Sequence, residues 1–152
     1  MTRLPPVVRT VRLRCSRHQA FARFTQDISA WWPPGFTVSG QRPARVTVEG
    51  KVGGRVFEAD HDGKEHDWGV VIAWVPGRRV TFSWALGVSG GTTDVDLLFT
   101  DRGQGCELTL EHRAWAEDQQ ADRAKFDAPD GWDRVLEAYR TYAESHSRPG
   151  ET

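Results

Sequence analysis

Hydrophobic and polar residues alternate along several runs of the chain, and this period of two is typical of half-buried β-strands. The first run covers residues 7–15, where apolar side chains share one face and only Arg9 interrupts them. Further runs, separated by turns rich in glycine or containing proline, predict strands at residues 45–49, 55–59, 68–75, 80–86, 93–100 and 106–115. The short turns between successive strands indicate an antiparallel meander.

Other segments have the spacing of helices. Ser16 and Gln19 form a capping box, so a helix is predicted to begin at about residue 17 and to end before Pro33 and Pro34. Residues 116–127 are polar and compatible with a helix. Residues 130–146 predict the longest helix, of about four turns, with an apolar stripe at i, i+3, i+4 and i+7. The stripe consists of Trp132, Val135, Leu136, Tyr139, Tyr142 and Ala143.

The order of these elements predicts the fold class. A sheet with one apolar face needs a covering layer, and the final helix is the only predicted element long enough to provide it. We therefore expect an α+β fold in which a curved antiparallel sheet wraps around the C-terminal helix, with two short helices after the first strand. The 152 residues are about the size of one domain, so we expect a single domain over residues 1–152, with its core in about residues 7–146.

Composition and charge narrow the class of partner. The formal net charge is -1 and no block of like charges stands out, which argues against nucleic acid. Apolar runs fall well short of the roughly 20 residues of a spanning helix, and the N-terminus lacks the apolar region of a secretory signal. We expect a cytoplasmic protein that does not insert into membranes. Cys15 and Cys106 lack zinc-ligand spacing, and we expect two buried thiols.

Seven tryptophans are the most distinctive feature of the composition. Alternation places one set of residues on a shared strand face, namely Trp68, Val70, Ile72 and Trp74. It also groups Val80, Phe82, Trp84 and Leu86, and it groups Cys106, Leu108, Leu110 and His112. Where such faces look toward the final helix, large stiff rings are hard to interdigitate without leaving space, which predicts a cavity. The alternative is that the rings fill a solid core.

The stretch Trp31-Trp32-Pro33-Pro34 ends the first helical region. We interpret it as a corner that brings two indole rings to one end of the sheet. One ring would close the mouth of the pocket, and the prolines would direct the chain out of the helix. The alternative is a hydrophobic corner that only closes the core.

Candidate chemistry is sparse. His112 is the one ionisable ring on an apolar strand face, where an imidazole could orient a ligand or act as an acid or base. The alternative is a core histidine satisfied by a backbone carbonyl. No triad of serine, histidine and carboxylate is apparent. Residues 60–67 crowd carboxylates and imidazoles together, but their spacing favours a hairpin turn over a metal site. We expect neither a metal nor a cofactor.

Several motifs, taken in order, resemble one superfamily. They are "GGRVFE" at residues 53–58, "DGKEHDWGVVIAWVP" at residues 62–76, "VTFSW" at residues 80–84, "LTLEHR" at residues 108–113 and "GWDRVLEAY" at residues 131–139. Together with the capped helix that ends in Trp31-Trp32-Pro33, they resemble the START-like, or SRPBCC, superfamily. The closer resemblance is to the bacterial proteins grouped with the C-terminal domain of the activator of heat-shock-protein-90 ATPase.

The resemblance implies a helix-grip fold with a hydrophobic cavity between the sheet and the last helix. In relatives this cavity takes lipids, sterols, polyketides or other apolar molecules, and some members are cyclases, aromatases or hydrolases. The chaperone activator carries a further N-terminal docking domain for which this chain has no room. The resemblance therefore favours ligand binding over a co-chaperone role.

The residue patterns and the resemblance together predict a protein that binds a hydrophobic small molecule, lipid-like or polyketide-like, in an internal cavity. The predicted ligand-binding residues are Trp32, Phe57, Trp68, Trp84, His112, Trp132 and Leu136, with His112 as the polar anchor and the only candidate catalytic group. One alternative is an enzyme of the polyketide cyclase, aromatase or hydrolase type that uses His112. Another is an interaction module linked to stress or to chaperones. The exposed edge of the sheet leaves a homodimer open.

Overall fold

The computed structural model describes residues 3–38, 40 and 42–145. Seven antiparallel strands lie side by side in the order β1-β7-β6-β5-β4-β3-β2. Their bounds are β1 (Val7–Leu13), β2 (Arg45–Val48), β3 (Arg55–Ala59), β4 (Glu65–Val75), β5 (Arg79–Trp84), β6 (Thr93–Arg102) and β7 (Gly105–Arg113). Every predicted strand is present, and only the ends of the strands differ from the prediction by a few residues.

The helices follow the predicted order. They are α1 (Arg17–Thr25), α2 (Ile28–Trp31), a 3₁₀ turn (Glu117–Gln119), α3 (Gln120–Asp127) and α4 (Trp132–Ser145). The expected capping box begins α1, where the backbone N–H of Gln19 donates to Ser16 Oγ and that of Ser16 donates to Gln19 Oε1. The predicted helix end at His146 lies outside the described residues. In the described part of the chain, no helix is long and apolar enough to cross a membrane.

The sheet curls into a half-barrel around α4, which is the predicted α+β helix-grip arrangement. The apolar stripe of α4 faces the sheet, and its buried members are Trp132, Val135, Leu136, Tyr139 and Ala143. The predicted inward faces of β5 and β7 meet it from the sheet. Their buried residues are Val80, Phe82 and Trp84 on β5 and Cys106, Leu108, Leu110 and His112 on β7.

Tyr139 joins α4 to α1. Its side chain is fully buried, and its hydroxyl donates a hydrogen bond of 2.7 Å to the carbonyl oxygen of Ala20. Burial raises the pKa of this phenol, which keeps it protonated and able to donate. Tyr139→Phe leaves the carbonyl without this donor. We expect the free energy of unfolding, measured by urea denaturation, to fall by about 1–2 kcal/mol.

Tyr142→Phe is the matched control for that measurement. Its hydroxyl donates to Asp27 Oδ2 at 3.1 Å, from a partly buried position where water can replace the bond. We expect this variant to lose less than half as much stability as Tyr139→Phe. Equal losses for the two variants would contradict the role given to the buried bond.

Strand β4 departs from simple alternation. Its pairing with β3 skips Trp68, and its pairing with β5 skips Ile72, so the strand contains two bulges. Trp68 and Val71 are fully buried, whereas Val70 is 40% exposed and Ile72 is 46% exposed. The expectation that Val70 and Ile72 face the final helix is therefore wrong. A bulge adds one residue to the strand, and one residue is enough to move the side chains that follow to the opposite face.

Arg9, the polar interruption in the apolar face of β1, bonds to both helices that cover this edge. Its guanidinium lies 2.9 Å from Asp127 Oδ1 at the end of α3 and 2.7 Å from Asp133 Oδ1 at the start of α4. The hydrogen bond to Asp133 raises the pKa of Arg9. The interruption in the pattern is thus a contact between the edge strand and the helices.

The cysteines and the acidic turn have structural positions. Cys15 and Cys106 are buried free thiols, and a hydrogen bond between them, together with burial, raises the pKa of the Cys106 thiol. Asp60 shapes the turn between β3 and β4, because its Oδ1 accepts the backbone N–H groups of Asp62 and Lys64. Among the described residues, no three histidine, cysteine, aspartate or glutamate side chains form a group that could hold a metal ion.

Candidate functional site

A pocket of about 210 Å³ lies beside the first turn of α4. Four segments converge there: the chain after α2, the end of β5 with the residues that follow it, the end of α3, and the start of α4. Five of the twelve residues that line it are aromatic, namely Trp32, Phe36, Trp84, Phe126 and Trp132. The convergence of these segments, which are far apart in sequence, makes the pocket a tertiary feature.

The three tryptophans occupy the ends of their elements. Trp32 caps α2, because the prolines that follow it stop the helix; Trp84 is the last residue of β5, and Trp132 is the first residue of α4. The ring centroid of Trp84 lies 5.6 Å from that of Trp132 and 6.1 Å from that of Trp32. These tilted contacts position the three rings as one wall.

Gly131 allows α3 and α4 to meet closely at the opposite side of the pocket. A Cβ atom at this position would overlap the carbonyl oxygens of Lys125 and Phe126. Because that atom is absent, the ring of Phe126 stacks on Trp132, with centroids 5.5 Å apart. Phe126 was not among the residues predicted from the sequence, since nothing in the polar pattern of α3 singles it out.

The chain after α2 is held in place by two short hydrogen bonds. Trp32 Nε1 donates to the carbonyl oxygen of Phe36 at 2.6 Å. Further along, the backbone N–H of Val38 donates to Glu58 Oε1, also at 2.6 Å. These bonds hold Phe36 and Thr37 in the wall of the pocket.

Glu58 is a fully buried carboxylate that the sequence analysis missed. Its Oε1 also accepts a hydrogen bond of 2.7 Å from Trp68 Nε1, whereas its Oε2 has no partner in the described part of the chain. Alternation along β3 contains the signal that could have found it, because Glu58 shares the inward face with Val56. Buried polar groups of this kind fix the position of their partners.

His112 lies behind the pocket wall and is linked to two of the segments that form it, directly to the start of α4 and through Thr93 to the end of β5. Its Nδ1 accepts a hydrogen bond of 3.0 Å from Trp132 Nε1, and its Nε2 lies 2.7 Å from Thr93 Oγ1. Because an indole nitrogen only donates, Nδ1 must be unprotonated, and we assign the proton to Nε2. Thr93 Oγ1 then donates to the carbonyl oxygen of Trp84 at 3.1 Å. The chain of bonds positions both tryptophans.

The environment of His112 keeps the ring neutral. The side chain is fully buried, and desolvation lowers its pKa from the ordinary 6.5 to about 3. The surrounding rings are Trp115, Phe126 and Trp132, none of which supplies a negative charge. A histidine in this state positions its neighbours and does not exchange protons near neutral pH.

The seven residues predicted to bind the ligand occupy different places. Trp32, Trp84 and Trp132 lie in the pocket wall. Trp68 and His112 lie one layer behind it, Trp68 against Trp32 with centroids 4.9 Å apart. Ligand contact by any of them remains a prediction.

Phe57 and Leu136 lie away from this pocket. The ring of Phe57 is buried and packs under the guanidinium of Arg55, whose carbon lies 4.1 Å from the ring centroid. It is not part of the core cluster that contains Val56, its neighbour in the strand. Leu136 borders a shallow depression between β1 and α4 that is rich in charged residues.

The side chains that line the pocket are aromatic or aliphatic except for those of Thr37 and Lys125. Among the described lining residues, Lys125 is the only charged one, and its Nζ lies 3.8 Å from Asp122 Oδ1. The remaining wall adds Val135, Leu86 and glycine backbone to the aromatic rings. Such a surface favours a molecule with an apolar ring over a charged metabolite.

Solved structures share the fold. The protein MLL2253 of Mesorhizobium loti is 17% identical, with a TM-score of 0.72, and the match covers 94% of this chain and 99% of that one. The Aha1 dimer of Colwellia psychrerythraea is 15% identical, with a TM-score of 0.68 and coverage of 93% and 97%. The anthrahydroquino-gamma-pyrone synthase Txn09, solved in complex with SUM, is 26% identical, with a TM-score of 0.61 and coverage of 93% and 99%.

The family follows from a sequence comparison. Among curated proteins, a search finds no match to this sequence. The family model described as "Activator of Hsp90 ATPase homolog 1-like protein" matches residues 14–144, which is most of the chain. This match and the fold confirm the resemblance that the motifs indicated. The chain belongs to the family of Activator of Hsp90 ATPase homolog 1-like proteins.

Proposed function

We propose that this protein binds a small aromatic or apolar molecule in the pocket at the start of α4. The observation that carries the proposal is the convergence of five aromatic rings around open volume. A core that only excluded water would bring these rings into contact with one another on all sides. Here four segments hold them around a space whose lining also includes the exposed side chain of Lys125.

The volume of the pocket limits the size of the ligand. An apolar cavity of about 150 Å³ accommodates benzene, and pockets for drug-sized ligands have about 300–1,000 Å³. At about 210 Å³, this pocket has room for one ring with a short substituent. A larger lipid-like or polyketide-like molecule would place only one ring inside and leave the rest in solvent.

The likeness to the synthase Txn09 supports a ligand of this kind. That protein is 26% identical over nearly its whole length and is named for chemistry on a fused aromatic compound. The likeness also favours a second candidate function, an enzyme of the cyclase or hydrolase type. His112 does not supply the acid or base for such an enzyme, because both ring nitrogens are engaged behind the wall. Ligand binding is therefore the better supported of these two candidate functions.

An interaction module is a third candidate. Its support is the exposed pair Val70 and Ile72 on the outer face of β4, together with the dimer formed by the Colwellia psychrerythraea protein. Two side chains form a smaller patch than the several hundred Å² of a typical interaction site. A homodimer and a cytoplasmic location remain predictions.

Native mass spectrometry of the protein as purified tests the proposed function. We expect a copurifying species of low mass that disappears after extraction with organic solvent. The bare protein should then regain mass on incubation with acetophenone, a single ring with a short substituent. A bare protein that binds neither a copurified species nor acetophenone would contradict the proposal.

Filling the pocket should abolish binding. Leu86 is half-buried in the wall, so Leu86→Trp places an indole in the space that the ligand would occupy. We expect the affinity for acetophenone, measured by NMR titration, to fall by about tenfold or more, which corresponds to about 1.4 kcal/mol. Ile72→Trp adds the same ring on the exposed outer face and should leave the affinity unchanged. Equal affinities for the two variants would place the binding site elsewhere.

A further inference from the structure

The indole N–H groups of this protein nearly all have partners within the chain. Five of the seven tryptophans donate to a protein acceptor at 2.6–3.0 Å. The donors and their acceptors are Trp31 to the carbonyl of Arg23, Trp32 to that of Phe36, Trp68 to Glu58, Trp115 to the carbonyl of His112, and Trp132 to His112 Nδ1. This is the usual state of a buried tryptophan, whose N–H seeks an acceptor.

Of the remaining two tryptophans, Trp74 is only half-buried, whereas Trp84 is buried and is the exception. Its side chain is 3% exposed, and its Nε1 is buried with no acceptor in the described part of the chain. A buried donor without a partner is destabilising, because it has given up hydrogen bonds to water. In a chain that satisfies five other indoles, the exception calls for a specific reason.

The surroundings of Trp84 indicate where an acceptor can approach. Its ring packs against Trp68 at 5.9 Å, Trp132 at 5.6 Å and Phe82 at 6.3 Å between centroids. These neighbours are aromatic rings, and the indole N–H groups of Trp68 and Trp132 are themselves engaged elsewhere. Trp84 also forms part of the pocket wall. The pocket is therefore the open space nearest the ring, and an acceptor in it reaches Nε1, which is sealed from solvent, only when the indole turns toward the pocket.

We propose that Trp84 Nε1 donates a hydrogen bond to an oxygen of the bound ligand. This inference rests on the proposed function and narrows the ligand to an aromatic ring that carries a carbonyl or a comparable oxygen acceptor. A plain hydrocarbon fits the apolar wall but leaves the N–H unsatisfied. Trp84 thus gives this pocket its chemical selectivity, while the other rings supply shape and apolar contact.

The backbone of Trp84 is fixed independently of any ligand. Its carbonyl oxygen accepts from Thr93 Oγ1, which is in turn bonded to His112. The same histidine accepts the indole N–H of Trp132, the ring beside Trp84 in the pocket wall. The backbone of Trp84 is therefore fixed before a ligand arrives, and only the indole has to turn to bring Nε1 to the ligand oxygen.

Acetophenone and ethylbenzene form a matched pair of probes, because they share one carbon skeleton and differ in the carbonyl oxygen. We would titrate the ¹⁵N-labelled protein with each and follow the indole N–H signals, assigned by triple-resonance spectra. We expect acetophenone to move the Trp84 indole proton downfield and ethylbenzene to leave it in place. We also expect acetophenone to bind about tenfold more tightly, the effect of one hydrogen bond to a buried donor.

Two variants separate the hydrogen bond from general packing. Trp84→Phe removes the N–H but keeps an aromatic ring, and we expect the preference for acetophenone to disappear. Trp74→Phe makes the same change at a half-buried ring outside the pocket wall, where the indole packs on Phe21, and the preference should persist. The signal of Trp84 in the unaltered protein tests the inference even if Trp84→Phe fails to fold.

The outcomes distinguish this inference from the proposed function. In one outcome, the signals of Trp32 and Trp132 shift equally with both probes and the Trp84 proton does not move. This result would contradict the hydrogen bond but support the binding site. No shift at Trp32 or Trp132 with either probe would overturn both. A downfield shift at Trp84 with acetophenone alone supports both.

Discussion

Acidification from about pH 7 to about pH 4 is expected to remove about 3 kcal/mol of folding stability through His112 alone. Burial lowers the pKa of this ring to about 3 in the folded state, against 6.5 for an exposed histidine. Below pH 6.5, His112 therefore binds a proton in the unfolded chain but stays neutral in the folded chain. Stability contributed by the neutral ring is fully present above about pH 6.5 and is lost progressively as the pH falls toward 3.

Urea denaturation of the protein and of His112→Gln across this pH range measures the effect. The variant should be less stable than the protein at neutral pH, because Trp132 and Thr93 lose a partner of the right shape. On acidification, the unaltered protein should lose about 3 kcal/mol more unfolding free energy than His112→Gln, since glutamine does not titrate. His61→Gln, at an exposed ring, is the matched control and should follow the unaltered protein. A constant difference between the protein and His112→Gln would contradict the neutral buried state.

Glu58→Ala is expected to cost about 3 kcal/mol of unfolding free energy. The substitution removes the acceptor of two donors at once, the indole N–H of Trp68 and the backbone N–H of Val38. It also leaves a small cavity at a fully buried position. The first bond supports the ring layer behind the pocket, and the second holds the segment that carries Phe36 and Thr37.

Glu58→Gln keeps an acceptor oxygen at this position. Its amide oxygen can accept both hydrogen bonds, so we expect less than half of the loss seen with alanine. A second readout is binding: the affinity for acetophenone should fall in Glu58→Ala, because the wall at Thr37 is released, and should be retained in Glu58→Gln. Equal losses of stability and affinity in the two variants would show that Glu58 does not act as an acceptor. Chemical denaturation and NMR titration give both readings on the same samples.

The elements of the fold could be predicted because their causes are local. The capping box of Ser16 and Gln19 needs only four consecutive residues, and the helix begins where it indicates. The inward faces of β5 and β7 follow from alternation because these strands pair without irregularity with β6, which lies between them. The stripe of α4 is likewise a property of its own sequence.

Strand β4 shows where local reasoning fails. Its two bulges arise from pairing with β3 on one side and β5 on the other, and neither partner is visible in the sequence of the strand. For the same reason Val70 and Ile72 were assigned to the wrong face. The pattern of a strand determines its faces only while its neighbours keep an even register.

The candidate site was predicted in part. Trp32, Trp84 and Trp132 lie at or within two residues of the ends of predicted elements, and the three rings come together in the pocket wall. Phe36 and Phe126 were missed because they lie in segments without apolar periodicity. Their place in the wall follows from two long-range features, the close approach at Gly131 and the bond from Trp32 to the carbonyl of Phe36.

The sequence by itself determined the strands, the helices, the fold class and the family. Periodicity, caps and ordered motifs depend only on residues that are close together in the sequence. Only the tertiary structure decided the chemistry of the site. It put His112 behind the wall as a neutral positioning group, buried the carboxylate of Glu58, and left the indole N–H of Trp84 without a partner. These properties depend on burial and on partners distant in the chain, and both exist only once the sheet has closed around α4.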